Sequence, residues 1–319
     1  MSDEIKVYYT KLRNMGDQLN ELILEKCFGY QAVRTSFLDG ELCAIGSCLG
    51  MYTPHGTVPM RIRQRVNGIR KPHVWIWGTG FINYSEPEGQ FFKKHMEFCA
   101  VRGELTRKRV EQIMGKKLDI PTGDPGLLAS EVLEKEQEKR YEVGIIPHLC
   151  DLRDPKIEEL IEKYSRETGG STSPVREETG AEPKEGADTG RLESRPPAGN
   201  PRVRLISVKD EPLEVIREIA ECRYILSSSL HGLIVADSLG IPNMHIVFGD
   251  RLLGDGYKFD DYYSAFGVEH CSCDLRTNGM PELAEIEDGY RICPEMVAEK
   301  KKALREAFPF PAGRRGRLT

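Results

Sequence analysis

One stretch of the chain brings together residue types that bind anions and exchange protons. An apolar run, residues 224–226, is typical of a buried strand, and apolar residues at helical spacing, 233–239, come after a polar turn. That turn reads Ser227-Ser228-Ser229-Leu230-His231-Gly232. At the carboxyl end of a strand, its hydroxyls and the free N–H groups from Leu230 onward would suit a negatively charged ligand. His231 would stand at the edge of that site as the group able to exchange a proton near neutral pH.

A structural interpretation of the same turn stays open at this point. Serines such as Ser228 and Ser229 that precede a helix are most often N-caps, and a single histidine in a turn is more often structural than catalytic. The functional interpretation gains weight because similar junctions recur along the chain.

The first of these junctions follows the β-prone run 5–9. Asn14, Gly16 and Asp17 lie between that run and a stretch with helical spacing. Asn14 and Asp17 can cap the helix. Alternatively, Asn14, Gly16 and the helix N-terminus receive part of a ligand, and Gly16 lets the backbone approach it closely.

Two glycine-containing turns follow strand-like runs further along. Gly46-Ser47 ends the run 41–45, and Gly78-Thr79-Gly80 ends the run 71–77. The second turn has two glycines of a dinucleotide-binding fingerprint, but Asn83 takes the place of the third. The indication of a nicotinamide cofactor is therefore weak.

Two charged residues also stand where strands are expected to end. Arg102 directly follows the apolar run 98–101, and His148 closes the run 141–147. Gly123-Asp124-Pro125 forms a further turn of the same kind.

A basic run and a long loop add cations to this set. The run typically forms a solvated face but could attract an anionic substrate; it consists of Arg61, Arg63, Arg65, Arg70 and Lys71. The loop 249–263 contains Arg251 and Lys258 among glycines and aromatic residues, and we expect it to grip substrate as a lid. Alternatively it is an ordinary loop, with Phe259 and Tyr262 packed inward.

The junctions fall into two groups, which predicts an α/β chain of two domains. Four or five of them describe one parallel, helix-flanked domain, residues 1–135, and a second sheet opens the second domain, residues 136–319. Residues 166–201 are rich in Gly, Ser, Thr, Pro and Glu, so we expect a disordered insertion there. Residues 309–319 are expected to form a basic, disordered tail.

Composition disfavours several classes of protein. The 319 residues carry a net charge of -5, whereas a general nucleic-acid binder would be basic. No apolar run is long enough to span a membrane and no secretory core stands at the N-terminus, so we expect a cytoplasmic protein without a transmembrane segment. The nine cysteines lack a Cys-x-x-Cys pair, and no Asp, Glu or His cluster demands a metal, so no metal site is expected.

Taken in order, these motifs resemble the polysaccharide pyruvyl transferase family. The resemblance runs through nearly the whole chain outside the insertion, and Ser-Leu-His-Gly with its downstream Gly-Ile-Pro is the most specific part. The matching stretches are Asn14-Met15-Gly16-Asp17, Gly46-Ser47, Trp77-Gly78-Thr79-Gly80, Arg102, Gly123-Asp124-Pro125, Ile146-Pro147-His148 and Ser228-Ser229-Leu230-His231-Gly232.

The resemblance implies two Rossmann-like domains in a GT-B-like arrangement, with the active site in the cleft between them. It implies transfer of the enolpyruvyl group of phosphoenolpyruvate, a donor substrate rather than a cofactor, onto two hydroxyls of a sugar. The partners implied are phosphoenolpyruvate and a sugar or lipid-linked oligosaccharide, through which any contact with a membrane would come. Arg102 matches a family arginine that grips the donor, and His231 matches the family histidine, a general acid or base.

One departure from the family pattern concerns the donor. Some members have arginine immediately before Leu-His-Gly, where this chain has Ser229. Arg251 or Lys258 are our candidates to supply the missing cation.

Two other functions remain open from the sequence. One is a glycosyltransferase that uses a nucleotide sugar, with Asp237 or Asp250 as the carboxylate that binds ribose. The other is a non-catalytic glycan-binding protein, which the presence of both Arg102 and His231 disfavours.

Overall fold

The computed structural model describes residues 3–10, 14–85, 89–166, 202–251 and 254–311. All but the first residue of the predicted insertion, and residues 312–319 of the predicted tail, lie outside these ranges. None of the helices within the described ranges is long and apolar enough to cross a lipid bilayer.

The first half of the chain forms a parallel five-stranded sheet in the order β2-β1-β3-β4-β5. Its strands are β1 (Glu4–Tyr8), β2 (Gln31–Thr35), β3 (Leu42–Cys43), β4 (His73–Trp77) and β5 (His95–Ala100). Its helices are α1 (Met15–Phe28), α2 (Val58–Arg70) and α3 (Glu104–Met114), with 3₁₀ segments at Leu49–Tyr52 and Pro125–Val132.

The second half forms another parallel five-stranded sheet, in the order β7-β6-β8-β9-β10. Its strands are β6 (Tyr141–Ile146), β7 (Val203–Leu205), β8 (Cys222–Ser227), β9 (Asn243–Val247) and β10 (Ser272–Asp274). Its helices are α4 (Lys156–Arg166), α5 (Pro212–Ala220), α6 (Leu230–Ser238), α7 (Tyr257–Ser264), α8 (Leu283–Gly289) and α9 (Pro294–Glu306).

The two sheets have the same topology. In each, the second strand in chain order is an edge strand beside the first, and the third, fourth and fifth strands follow in order on the other side of the first strand. Ligands of such doubly wound sheets bind at the carboxyl ends of the two strands where the order reverses. Those strands are β1 and β3 in the first half, and β6 and β8 in the second. The predicted α/β class with two Rossmann-like domains is confirmed; the GT-B-like arrangement and the boundary at residue 135 stay predictions.

The end of the chain returns to the first half. Trp77 in β4 donates its Nε1–H to the carbonyl of Leu304 in α9, at 2.9 Å, and the rings of Phe28 and Phe308 stack at 3.9 Å. One cluster of buried apolar side chains runs through both halves, from Ile5 in β1 to Leu304. The halves therefore share a core.

One strand was missed in the sequence, and two sequence predictions need correction. The edge strand β2 was not predicted, because its sequence, QAVRT, has no apolar alternation and its side chains are only partly buried. The predicted lid is helical from Tyr257, and Phe259 and Tyr262 are fully buried, so the inward-packed alternative is correct there. The predicted tail starts too early, because Phe310 packs against Tyr30.

Candidate active site

The turn after β8 places the N-terminus of α6 at the carboxyl ends of β6 and β8, where the strand order of the second sheet reverses. We call this place the switch point of the sheet. Ser227 Oγ accepts a hydrogen bond from the N–H of Ser229 at 3.0 Å, which fixes the turn. Ser229 is the N-cap residue of α6, yet its side chain makes no capping hydrogen bond, so the simple capping interpretation fails for it. Leu230 opens the helix, and the N–H groups of its first turn are free of a side-chain cap, as an anion site requires.

His231 lies directly against α1 of the other half. A Cβ atom at Gly16 would stand 2.1 Å from His231 Nδ1, so only glycine allows the ring to lie there. The Nε2 atom of His231 is buried without a hydrogen-bond partner among the described residues. It lies 3.9 Å from Oδ2 of Asp124, which is likewise buried without a partner. Two polar atoms from opposite halves thus face each other in the interior, and no described residue satisfies either of them.

Burial moves the pKa values of these two groups in opposite directions. Burial, followed by the nearby charges of Arg102 and Lys258, lowers the pKa of His231 to about 3. Burial raises the pKa of Asp124 to about 7, although its other oxygen, Oδ1, accepts the N–H of Gly126 at 2.9 Å. Near neutral pH the imidazole is therefore neutral, and the carboxyl exchanges its proton.

Arg102 is completely buried and joins the two halves. Its Nε–H donates to Oδ2 of Asp261 in α7 at 2.9 Å. Its other N–H groups donate to Ser47 Oγ at 2.6 Å and to the carbonyl of Phe81 at 2.5 Å. The N–H and hydroxyl of Thr106 complete the set of donors to Asp261, each at 2.7 Å. With these partners, Arg102 fixes the position of α7.

Lys258, one turn before Asp261 on α7, has a partner of another kind than those of Arg102, because its ammonium lies 5.2 Å from the centroid of the Phe259 ring. Its ammonium forms no hydrogen bond or ion pair with any described residue, and burial, then repulsion by Arg102, lowers its pKa to about 8. Arg251 is half exposed and pairs with Asp154 and, at 3.6 Å, with Asp151. Of the two candidate cations, Lys258 is therefore the one free to meet an anion.

His148 belongs to a network at the end of β6. The backbone N–H of His148 donates to Ser228 Oγ at 2.8 Å, and the Ser228 hydroxyl donates to Asp151 Oδ2 at 2.8 Å. Burial, then the charge of Lys258, lowers the pKa of His148 to about 4, so the ring is neutral. His148 and Ser228 thus meet at the same switch point as His231.

At the first junction, the capping alternative is correct for Asn14. Its Oδ1 atom accepts the N–H of Gly16 at 3.2 Å. The carboxyl of Asp17 is buried and accepts a hydrogen bond from the hydroxyl of Thr10, and burial raises its pKa to about 6.

The glycine-containing turns position other groups. Thr79 is fully buried; its hydroxyl donates to the carbonyl of Gly46 at 2.8 Å and accepts the N–H of Cys48. A Cβ atom at Gly80 would lie 2.6 Å from an Arg102 nitrogen, and one at Gly78 would lie 2.1 Å from Pro125. The Gly-x-Gly turn thus packs closely against Arg102 itself and against Pro125, the residue after Asp124.

Sequence reasoning missed two residues of this site. Asp124 was seen only as part of a turn, although it follows a glycine at a predicted strand end as the other candidates do. Asp261 gave no signal, because the stretch around it was predicted to be a loop.

A family model and a curated protein both match a large part of the chain. The model of the family "Polysaccharide pyruvyl transferase" matches residues 53–249, a range that includes Arg102, Asp124, His148 and His231. An uncharacterized protein of Acanthamoeba polyphaga mimivirus is 28% identical over 310 residues, covering 93% of this chain and 88% of that protein.

Two solved glycosyltransferase structures resemble the chain more distantly, each with 14% identity and a TM-score of 0.33. The E. coli heptosyltransferase WaaC with ADP-2-deoxy-2-fluoro heptose covers 79% of this chain over 92% of its own length. The spinosyn forosaminyltransferase SpnP covers 96% of this chain over 72% of its own length. It is the family match, over more than half of the residues, that shows that the chain belongs to the polysaccharide pyruvyl transferase family.

Proposed function

We propose that the protein transfers the enolpyruvyl group of phosphoenolpyruvate to two hydroxyls of a sugar in a polysaccharide or glycan precursor. The donor's C3 methylene takes up a proton and becomes a methyl group. Two sugar oxygens form bonds to C2, the bond from C2 to the phosphate oxygen breaks, and a cyclic ketal and inorganic phosphate result. Of the two protons that the sugar hydroxyls lose, one balances the proton gained by C3, and the other leaves with phosphate.

The observation that supports this proposal is the buried pair of His231 and Asp124. A carboxyl group whose pKa is about 7 is suited to protonate the donor's carbon. The neutral imidazole has a free Nε2 atom that can accept a proton from a sugar hydroxyl, although burial, which lowers its pKa to about 3, makes it a weak base on its own. Both groups have an unpartnered atom directed at the place where the halves meet. We assign Asp124 as the general acid and His231 as the general base.

The charges around this pair suit the donor. Phosphoenolpyruvate carries a phosphate and a carboxylate, which need cations or free N–H groups. Lys258 offers an unpaired ammonium, and the N-terminus of α6 offers the N–H groups of Leu230 and His231. Arg102 acts as a positioning residue in this proposal, because its N–H groups hold Asp261 on the helix that presents Lys258.

The nucleotide-sugar alternative has lost its candidate residues. Asp237 is buried and accepts hydrogen bonds from Asn243 at 2.7 Å and Tyr262 at 2.8 Å. Asp250 is exposed and pairs with Arg276. Neither carboxylate is placed to bind a ribose beside His231.

A thermal-shift titration tests the donor without requiring the acceptor. Phosphoenolpyruvate should raise the melting temperature, because a ligand of the folded state adds about 2.7 kcal/mol of stability at a hundredfold excess over its Kd. Lys258→Gln should remove most of that shift. Arg251→Gln is the matched control and should keep it, because Arg251 already pairs with two aspartates. A shift with UDP- or GDP-sugars but not with phosphoenolpyruvate would contradict the proposal.

A further inference from the structure

Helix α2 presents its apolar side chains to solvent instead of the core. Val58, Ile62, Val66 and Ile69 are 69%, 58%, 47% and 66% exposed, and they are four of the five large apolar residues that are exposed among the described residues. The buried positions of this helix are Gln64 and Gly68. The inner face is thus small and polar, and the outer face is apolar.

The four exposed residues form one stripe along the helix. At about 100° per residue they fall within an arc of about 80° on the helix surface. The same geometry places Arg61 and Arg65 along one edge of the stripe, and Arg63 and Arg70 along the other. An apolar ridge flanked on both sides by arginines is the pattern of a helix that lies in a membrane interface.

The charge around the stripe has one sign. No aspartate or glutamate occurs between Glu41 and Glu86, although the whole chain carries a net charge of -5. Arg63, Arg65 and Arg70 form no ion pair with any residue that the structure describes. Arg61 donates only to a backbone carbonyl, that of Gly56, at 3.2 Å. These guanidinium groups are available to an anionic partner.

We propose that α2 binds a membrane that contains anionic lipids, with Val58, Ile62, Val66 and Ile69 inserted at the level of the acyl chains. The flanking arginines contact lipid phosphates. This inference goes beyond the proposed reaction, since it concerns a surface that contributes no residue to the active site.

Charge argues against a second copy of the chain as the occupant. A symmetric dimer places the same patch opposite itself, so four arginines would face four others with no carboxylate from this region between them. The stripe is also a convex ridge, which inserts readily into a fluid lipid layer.

Co-sedimentation of the full chain with lipid vesicles tests the proposal. The protein should bind vesicles of phosphatidylcholine with about one third phosphatidylglycerol, should bind pure phosphatidylcholine weakly, and should dissociate partly at high salt. Ile62→Ser with Val66→Ser, and separately Arg63→Gln with Arg65→Gln, should each lower the partition coefficient about tenfold. Because these side chains are exposed, the melting temperature of both variants should match that of the wild type.

A matched control removes two positive charges elsewhere. Lys116 and Lys117 are exposed beyond the end of α3, and Lys116→Gln with Lys117→Gln should leave binding unchanged. Equal binding by all variants, or no binding to anionic vesicles by the wild type, would overturn the proposal. So would a dimer in light scattering that Ile62→Ser with Val66→Ser converts to monomer. The vesicles contain neither phosphoenolpyruvate nor sugar, so failure here is distinguishable from failure of the proposed reaction.

Discussion

His231 and Asp124 share one desolvated place, and desolvation favours the neutral form of each. For the histidine this means loss of the proton well below neutral pH, and for the carboxyl it means retention of the proton up to a pH of about 7. In the proposed reaction, the two residues therefore divide the roles of base and acid that the sequence assigned to His231 alone.

We predict that the rate of transfer falls as the pH rises above about 7, because Asp124 loses its proton as the pH passes its pKa of about 7. Asp124→Asn should remove that decline and reduce kcat by about a hundredfold or more, the usual contribution of a general acid. The measurement is kcat for phosphate release from phosphoenolpyruvate, with a sugar acceptor, at a series of pH values.

The control for this experiment is Asp237→Asn. Burial raises the pKa of Asp237 to about 7 as well. Unlike Asp124 Oδ2, however, both oxygens of the Asp237 carboxyl accept hydrogen bonds, one from Asn243 and one from Tyr262. Its profile should match the wild type. A decline above neutral pH that persists in Asp124→Asn would assign the proton to another group.

Among the elements, α7 depends on a contact from the other half. Asp261, its fifth residue, accepts side-chain hydrogen bonds from Arg102 and Thr106, and both the carboxylate and the guanidinium are fully buried. A buried ion pair adds little net stability, but removal of one partner leaves an uncompensated charge.

Asp261→Asn should therefore lower the free energy of unfolding by about 3 kcal/mol or more, because Arg102 keeps its charge in the interior. Urea unfolding followed by circular dichroism measures the change. The matched control is Glu111→Gln, which breaks a pair with Lys117, a side chain that is 92% exposed, and should lower the free energy of unfolding far less. Equal losses in the two variants would show that burial of Arg102–Asp261 has no special cost.

The sequence predicted elements best where one segment contains its own signal. The apolar run 224–226, the polar turn and Gly240 mark β8, the turn and α6 without reference to the rest of the chain. The helix α7 was missed because Tyr257–Ser264 begins after two glycines and includes Asp260 and Asp261, which suit a loop in isolation. The tertiary contacts of Asp261 and Tyr262 decide its conformation.

The same reason explains what could be predicted of the site. His231, Ser228 and His148 were identified because each lies within a few residues of the end of a predicted strand. The pairing of His231 with Asp124 depends on how the two sheets face each other, and residue spacing along the chain contains no such information. Likewise the sequence suggested both Arg251 and Lys258 as the cation that binds the donor. The two are distinguished only in the structure, where Arg251 pairs with Asp151 and Asp154.

At the scale of the molecule, the two halves should unfold together. The apolar cluster shared by Ile5, Trp77, Leu233 and Leu304 spans both, so exposing it in one half exposes it in the other. Both tryptophans of the chain, Trp75 and Trp77, lie in β4, so their fluorescence reports on the first half, whereas circular dichroism reports on both.

We predict coincident urea transitions by tryptophan fluorescence and by far-ultraviolet circular dichroism. The comparison needs no mutation. If each half unfolded separately, the fluorescence and circular dichroism curves would have different midpoints, and that result would contradict a shared core.

The return of α9 to the first half also limits how the cleft can open. The chain crosses between the halves at residues 133–140 and again ahead of α9. The carbonyl of Leu304 in α9 accepts a hydrogen bond from Trp77 in the first half. A body attached to another at two places can turn only about the line that joins them, so a hinge rotation about that axis is the motion that preserves both crossings. Arg102 and Asp261 belong to different halves, so we expect their ion pair to resist such a rotation and, in the proposed reaction, to slow the entry of substrate.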